Sequence, residues 1–191
     1  LRRLNRELKA ALEKLRLHME NSPLAVVEFD REFQITNWSG QAERIFGWSA
    51  ADAVEKKIDE LRLVHEEDLP STGELRGDIL AGRRPRSINT NRNYRKDGSV
   101  AICEWYNSSL LDASGNLISV QSLVLDITAR CQTEQKLQEA KILLEKTFAS
   151  LEEVILVTDH QTRNIIACNA ALQTVFGYTC EEMIGRNTEI L

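Results

Sequence analysis

Apolar and polar residues alternate in three successive stretches between residues 88 and 130, and this pattern predicts three antiparallel strands. Asp97 and Gly98 separate the first two stretches. They predict a hairpin, because a two-residue type I′ turn needs positive φ at both central positions. A polar loop at residues 112–116 separates the second stretch from the third. Apolar residues occur on both faces of these strands, so other elements are expected to cover the sheet.

The residues before this sheet predict two more strands and then a group of helices. The segments LAVVEFD and QITNW are short strand-like stretches joined by a turn. Ser39 is expected to cap a first helix that ends at Gly47, and a longer helix is expected from Asp68 to Gly82. The order strand–strand–helices–strand–strand–strand predicts an α+β fold, with a five-stranded antiparallel sheet and helices on one face.

Amphipathic helices are expected on both sides of this domain. Residues 1–21 contain good helix formers and an apolar stripe with the three- and four-residue steps of a coiled coil, which predicts a dimerisation helix. A single helix that packs its stripe on a neighbouring domain is the alternative. The helix after Thr128 carries Leu137, Leu144 and Leu151 seven residues apart, flanked by Lys and Glu. The N-terminal stripe consists of Leu1, Leu4, Leu8, Ala11 and Leu15.

The early part of the domain recurs near the end of the chain. Residues 45–52 (IFGWSAAD) match residues 175–182 (VFGYTCEE), 130 positions later. At the same offset Ser39 corresponds to Asn169, and both residue types are good N-caps. Only the first half of the second copy is present, so its sheet-closing strands are missing. The expected division is a helix at 1–21, a domain at 22–129, a linker helix at 130–152 and a truncated second copy at 153–191.

The composition of the chain limits the functional classes to which the protein can belong. The 191 residues are 42% apolar and 28% charged, as in an ordinary globular protein, and the net charge of −5 argues against a nucleic-acid partner. No apolar run approaches the roughly 18 residues of a membrane span, and we expect no signal peptide. The four cysteines lack C-x-x-C spacing, which predicts unpaired thiols in a reducing, cytoplasmic compartment. The chain begins without Met, so we expect a fragment of a parent that can be membrane-anchored elsewhere.

One run of residues is specific enough to indicate a family. A strand, the turn R-K-D-G-S, a strand containing E-W, a D-x-x-G turn and a strand that closes on D-I-T before a charged helix resemble the C-terminal half of a PAS domain of the S-box type. The resemblance implies a module that binds a small ligand, haem, flavin or nothing between its sheet and helices. The residues that carry it are Arg95, Lys96, Asp97, Gly98, Glu104, Trp105, Asp112, Gly115, Asp126, Ile127 and Thr128.

The resemblance also implies a route for the signal. PAS domains pass their state through the C-terminal helix to an effector such as a histidine kinase, a diguanylate cyclase or a phosphodiesterase. In the family, an Asp and a Thr at the end of the last strand, together with a basic residue, tie that strand to the helix. The resemblance implies this role for Asp126 and Thr128, and Arg130 is a candidate for the basic partner. Thr128 is also a sound N-cap, so a simple cap is the alternative. The family's usual Glu after the Thr is Ala129 here.

Two coloured cofactors of the family are not expected here. The photoreactive cysteine of flavin-binding relatives is missing from the middle helical region, IDELRLV. His65 is the candidate haem ligand, but its acidic neighbours favour a surface position at a helix entry. The cofactor therefore stays unassigned, and a domain without any cofactor is one of the options.

Residues from several elements are candidates for the wall of a small-molecule cavity, with ordinary core packing as the alternative. No nucleophile–base pair, phosphate-binding loop or pair of catalytic carboxylates is present, so we expect no enzyme in this fragment. The sequence predicts a homodimeric sensory module that acts on an effector domain of the parent chain, and a ligand-free dimerisation and interaction spacer is the alternative. The candidate cavity residues are Trp38, Ile45, Tyr94, Cys103, Trp105 and Tyr106.

Overall fold

The chain forms two compact units, residues 1–131 and 132–191. The described residues before 21 are helical, in agreement with the expected N-terminal helix, whereas Leu1, Leu4 and Leu15 of its apolar stripe lie outside the described residues. No helix among the residues described is long and apolar enough to cross a bilayer. The computed structural model of the protein describes residues 3, 6–9, 11, 13, 14, 17 and 21–190.

Five antiparallel strands form the sheet of the first unit in the order β2-β1-β5-β4-β3. This sheet confirms the predicted α+β fold. Because β1 pairs with both β2 and β5, the first and last strands of the unit lie side by side. The strands are β1 (Ala25–Asp30), β2 (Ile35–Trp38), β3 (Arg86–Tyr94), β4 (Val100–Leu111) and β5 (Leu117–Asp126).

The helices of the first unit lie between β2 and β3 in the chain, and one long helix follows β5. The Ser39 hydroxyl accepts the N–H of Ala42, and Gly47 ends the helix with a φ of 76°, so both predicted caps are confirmed. The helices are α1 (Gly40–Phe46), α2 (Ala50–Ala53), α3 (Leu69–Leu80, preceded by a 3₁₀ turn at Glu66–Asp68) and α4 (Thr128–Ser150).

The turn between β3 and β4 differs from the predicted type I′ hairpin. Gly98 has a φ of 83°, whereas Asp97 is not among the residues with positive φ. The Asp97 carboxylate accepts hydrogen bonds from the N–H and hydroxyl of Ser99, and the Gly98 N–H donates to the Arg95 carbonyl. These bonds favour a three-residue loop in which only the glycine is left-handed.

The hydrophobic core of the first unit lies between the inner face of the sheet and the helices. Phe46 is fully buried and contacts Trp38 and Trp105, with ring centroids 5.4 and 5.8 Å apart. Burial of each such side chain contributes about 1.5–3 kcal/mol. The other core residues larger than Ala and Cys are Val27, Phe29, Ile35, Ile45, Leu61, Leu63, Ile79, Val120 and Val124.

The second unit repeats the opening of the first on a smaller scale. The Ile165 N–H donates to the Arg186 carbonyl, as the Ile35 N–H does to Lys56 130 residues earlier. Its hydrophobic cluster contains three buried residues, Ile165, Leu172 and Met183. Its elements are β6 (Leu156–Thr158), β7 (Ile165–Cys168), α5 (Ala171–Phe176), α6 (Cys180–Met183) and a 3₁₀ turn at Thr188–Ile190.

Asn169 was predicted as an N-cap, and this prediction is wrong. The helix α5 has Ala170 at its N-cap, without a side-chain hydrogen bond. The Asn169 amide instead accepts the N–H of Ile155 and donates to the carbonyls of Leu151 and Glu153. An amide carries two N–H donors that a serine lacks, so it satisfies backbone groups of the segment before β6.

Two of the four cysteines are paired in the structure, whereas the sequence predicted unpaired thiols. Cys168 at the end of β7 and Cys180 at the start of α6 form a disulfide, with Cα atoms 5.7 Å apart. Cys103 and Cys131 are free. The spacing in sequence gave no sign of this pair because the contact depends on how α6 packs beside β7.

Candidate functional site

A small cavity lies between the inner face of the sheet and α3 in the first unit. Its volume is about 80 Å³. Part of the wall is apolar: Phe29 and Val120 come from the sheet, Phe33 from the turn after β1, and Leu75 and Ile79 from α3. The sheet also contributes Trp105 and a polar group formed by Asn89, Asn91, Asn107 and Ser122.

The polar wall is a continuous chain of hydrogen bonds. The Ser122 hydroxyl donates to the Asn107 carbonyl oxygen over 2.6 Å, and the Asn107 amide donates to Asn89 over 2.9 Å. The Asn89 amide in turn donates to Asn91 over 3.0 Å. Polar groups on a core-facing surface are expensive to bury unless they are hydrogen-bonded, and here they satisfy one another. We call these four residues the amide row.

The amide row was missed in the sequence analysis, although a signal for it was present. The segment INTNRN places asparagines at alternate positions, and the register of β3 with β4 puts Asn89 opposite Trp105. Since Trp105 faces the core, its partner must face it too. Strand alternation together with the pairing of β3 would have predicted a polar inner face.

A bidentate ion pair lies at the edge of the same cavity. The Arg76 guanidinium donates to the two carboxylate oxygens of Asp59 over 2.8 and 3.0 Å. It also lies over the Phe33 ring, 5.6 Å from the ring centroid. The two charges of the cavity wall therefore neutralise each other.

The six residues predicted to line a cavity lie in different places. Trp105 lines this cavity, whereas Trp38, Ile45 and Cys103 are buried in the core cluster and line no part of it. Tyr106 is 37% exposed on the outer face of the sheet, because strand alternation turns it away from its neighbour Trp105.

The free thiol of Cys103 has the properties of a core residue. Burial raises the pKa of the thiol to about 12. A thiol with so high a pKa carries almost no thiolate at neutral pH and is a poor nucleophile. This agrees with its place in the core cluster.

Tyr94 lines a second, wider groove of about 610 Å³. Its ring stacks on His65 with centroids 5.1 Å apart, and its hydroxyl donates to Glu66 over 2.6 Å, which raises the pKa of the tyrosine. His65 accepts the N–H of Glu67 through Nδ1 at the start of the 3₁₀ turn, in the helix-entry position expected from the sequence.

A second ion pair fastens α3 to the sheet. The Asp68 carboxylate accepts hydrogen bonds from the backbone N–H of Arg92 and from its guanidinium, over 2.7, 3.1 and 2.7 Å. These bonds hold the pKa of Asp68 below its ordinary value. Its partner on β3 lies 24 residues further along the chain, so the sequence alone does not reveal this pair.

The exit from the sheet is built around Asp126. Its carboxylate accepts hydrogen bonds from the N–H and hydroxyl of Thr128 and from Arg95 Nη2, the last over 2.7 Å. The Thr128 hydroxyl also accepts the N–H of Ile102 over 2.9 Å, and Arg95 Nε donates to the Ile45 carbonyl over 2.8 Å. These contacts join α1, the β3–β4 hairpin, β5 and α4. We call this group of residues the exit joint.

Two details of the exit joint correct the sequence predictions. The basic partner of Asp126 is Arg95 from the β3–β4 turn, whereas Arg130 was the candidate. Thr128 is the first residue of α4 and not its N-cap, and its hydroxyl is used to bind the backbone of β4. Burial raises the pKa of Asp126, but the hydrogen bonds from Thr128 and Arg95 outweigh it, so the pKa lies below its ordinary value.

Two family models match the chain. One, described as PAS fold, matches residues 13–127, and the other, described as PAS domain, matches residues 152–191. No curated protein matches the chain closely enough to count as a relative. Among the described residues, no group of three or more His, Cys, Asp or Glu side chains is arranged to hold a metal ion.

Solved structures share the fold at low sequence identity. An RNA-binding light-oxygen-voltage receptor matches with a TM-score of 0.56 at 21% identity, over 68% of this chain and 36% of the receptor, so the chain spans little more than a third of that protein. A sensory box histidine kinase/response regulator from Burkholderia thailandensis matches with a TM-score of 0.55 at 13% identity, over 70% of this chain and 98% of the other. A PAS domain from Colwellia psychrerythraea matches with a TM-score of 0.54 at 18% identity, over 62% and 98%.

Proposed function

The chain belongs to the PAS family, and from this premise we propose that its first unit senses a small ligand in the cavity beside α3 and relays the change through α4 to an effector in the parent protein. The effector is a histidine kinase, a diguanylate cyclase or a phosphodiesterase. The second unit is the beginning of a further PAS module in a tandem arrangement. The chain itself has no enzymatic role.

The exit joint is the observation that carries this proposal. Asp126 and Thr128 connect the last strand to α4, and Arg95 connects the same carboxylate to the end of α1. A change in the packing of α1 or the sheet therefore alters the hydrogen bonds at the first turn of α4. A useful switch needs a coupling of about 1–3 kcal/mol, which is comparable to the strength of a few such charged hydrogen bonds.

The test removes two side chains of the exit joint in the full-length parent protein. Asp126→Ala combined with Thr128→Ala is expected to fix effector output at one level, because the helix no longer follows the strand. The matched control is Asp112→Ala, which removes another carboxylate that caps a turn, between β4 and β5, away from α4. Output is measured with and without the stimulus of the parent.

The isolated double variant should remain folded, since a partly exposed joint contributes only a small part of the free energy of unfolding. Circular dichroism and thermal melting check this. A response of wild-type amplitude in the folded double variant would show that the signal takes another route, and the sensory proposal through α4 would be wrong.

A ligand-free dimerisation spacer is the second candidate function. It is favoured by apolar side chains left exposed on the outer face of the sheet, where Ile88 is 68% and Leu110 is 58% exposed. The leucines of α4 are also exposed, Leu137 by 71%. Surfaces of this kind favour a partner.

Both candidate functions include a homodimer formed through the N-terminal helix. Leu8 is 56% exposed there, and Ala11 is exposed as well. Leu8→Asp is expected to convert a dimer at micromolar concentration to a monomer, because it places a charge in the apolar stripe. Sedimentation of the wild-type chain as a monomer would contradict the homodimer. A dimer without any bound small molecule or ligand response would favour the spacer.

A further inference from the structure

The amide row gives the cavity an unusual hydrogen-bonding capacity. A side-chain amide has two N–H donors and a carbonyl oxygen with two lone pairs. Within the row, Asn89 accepts from Asn107 and donates to Asn91, and Asn91 donates to the Arg92 carbonyl. Among the described residues, Asn89 and Asn91 therefore each keep one donor and one acceptor for a further partner.

The two charged side chains of the cavity wall already pair with each other. Arg76 and Asp59 form a bidentate pair, and an anionic or cationic ligand would have to displace one partner from the other. Because the side chains of Arg76 and Asp59 keep 32% and 55% of their surface exposed, breaking this pair has a modest cost. A neutral ligand needs no such rearrangement.

The size of the cavity limits the ligand further. Its volume of about 80 Å³ is far below the roughly 300 Å³ at which pockets for drug-sized ligands begin. One water molecule needs about 10–15 Å³ of this kind of volume, so the cavity holds a molecule of at most about five to eight non-hydrogen atoms. The apolar side chains that line the cavity beside the amide row suit a ligand with one polar edge and one apolar side.

We propose that the cavity of the first unit binds a small neutral molecule with a carboxamide-like edge, held by the free donors and acceptors of Asn89 and Asn91 against the apolar wall. This inference rests on the proposed sensory function and names the chemical class of its ligand. A ligand edge with one donor and one acceptor can form two hydrogen bonds with side-chain amides, as two amides do with each other.

The test compares acetamide with acetate on the full 191-residue chain. The two probes have the same shape and differ in charge. We expect millimolar acetamide to shift the side-chain NH₂ signals of Asn89 and Asn91 and the indole N–H of Trp105 saturably in ¹H–¹⁵N spectra, with acetate binding at least about tenfold more weakly at equal ionic strength. Acetate binding as tightly as acetamide would overturn the proposal, and so would no acetamide binding.

Two variants sharpen the result. Asn89→Leu keeps the branching and the number of non-hydrogen atoms of the side chain and is expected to weaken acetamide binding about five- to tenfold, whereas Asn37→Leu, outside the cavity wall, should leave it unchanged. Asp59→Asn frees Arg76 and should let acetate bind, which tests the charge argument even if Asn89→Leu fails to fold. Acetate binding that Asp59→Asn leaves unchanged would contradict the role given to the ion pair.

The outcome for the ligand class can be separated from that for the proposed function. If the double variant of the exit joint loses the stimulus response and the chain does not bind acetamide, only the proposed ligand class is wrong. Acetamide binding with a normal response in the joint variant overturns the relay and leaves the ligand class standing.

Discussion

The two units of the chain begin with the same elements but differ in what completes them. In the first unit β1 lies between β2 and β5, and the sheet has five strands. In the second, β6 pairs with β7 alone among the described residues, and three residues form the buried cluster. Equivalent local sequences thus produce the same order of strands and helices and several of the same caps in both units, while the extent of the core depends on strands that come later in the chain.

The details of the repeat show which features are local. Gly47 and Gly177 both end a helix in the left-handed conformation. Ser49 and Thr179 both accept an N–H at the start of the next helix. The turn between the first two strands is one residue longer in the second unit, yet the two strands pair in the same register in both units. Capping and turn formation need only neighbouring residues, so they survive without a complete sheet.

The largest expected difference between the units is in amide hydrogen exchange. A two-stranded sheet is marginally stable, whereas the central strands of a five-stranded sheet open only with a large part of the domain. We expect amides of β5 to exchange at least about a thousandfold more slowly than those of β6 and β7 in the monomeric chain, a difference of about 4 kcal/mol in opening free energy. Equal protection in the two sheets would mean that the second unit is stable as it stands.

A pair of equivalent phenylalanines tests the same comparison by mutation. Phe46 is 0% exposed and Phe176, its counterpart 130 residues later, is 44% exposed. We expect Phe46→Ala to lower the free energy of unfolding of the first unit by about 3–5 kcal/mol, and Phe176→Ala to change that of the second by less than about 1 kcal/mol.

The measurement can follow the first unit alone, because all three tryptophans of the chain lie in it. Urea unfolding monitored by tryptophan fluorescence reports Phe46→Ala, and hydrogen exchange in β7 reports Phe176→Ala. A loss in the second unit as large as that in the first would show that Phe176 is buried by a contact that the described residues do not provide.

The disulfide gives the second unit a stabilising link that the first lacks. Trp38 and Ala50 occupy the positions equivalent to Cys168 and Cys180. A bridge over a separation of 12 residues is expected to contribute about 3 kcal/mol. Reduction with dithiothreitol should speed exchange in β7 and leave the fluorescence-monitored unfolding of the first unit unchanged.

The double variant Cys168→Ser with Cys180→Ser is the control for this experiment. It should exchange as fast as the reduced wild type and should not respond to dithiothreitol. Exchange in β7 that is the same before and after reduction would show that the bridge does not stabilise the second unit.

Much of the fold follows from local sequence signals, and the errors concern contacts between distant residues. The five strands and the caps at Ser39 and Gly47 were predicted because each depends on a few neighbouring residues. Arg130, four residues away, was a candidate partner of Asp126 and the pairing was left open, whereas the structure shows an ion pair with Arg95 across the sheet. That pairing requires the register of β3, β4 and β5, which a single sequence does not specify.

The candidate site shows the same limit. Trp105 lines the cavity, whereas Tyr106, also a candidate, lies on the outer face of the sheet because adjacent strand residues face opposite ways. The alternate asparagines of β3 mark the inner face of the sheet only through the register of β3 with β4, which a single sequence does not specify. The disulfide between Cys168 and Cys180 depends on the packing of α6 beside β7, which spacing does not reveal.

The smallest expected effect concerns the exit joint, for which the described part of the second unit has no counterpart. The pKa of Asp126 lies below its ordinary value of 3.8. A carboxylate with a lowered pKa in the folded state stabilises the fold above its unfolded pKa of about 3.9, and this contribution is lost as the pH falls through the folded pKa. At neutral pH we expect Asp126→Asn to lower the free energy of unfolding of the first unit by about 1–2 kcal/mol, since the joint is partly exposed.

The difference between wild type and Asp126→Asn should therefore shrink as the pH falls below about 4. The amide proton of Thr128 donates to Asp126 and reports the titration directly, so its chemical shift should change with a midpoint below 3.8. Asp112→Asn removes a carboxylate whose pKa is also lowered, by Asn116 and not by Arg95, and should leave this midpoint unchanged. A midpoint above 3.8 would mean that burial outweighs the hydrogen bonds, and Asp126 would then hold α4 more weakly at neutral pH than the geometry requires.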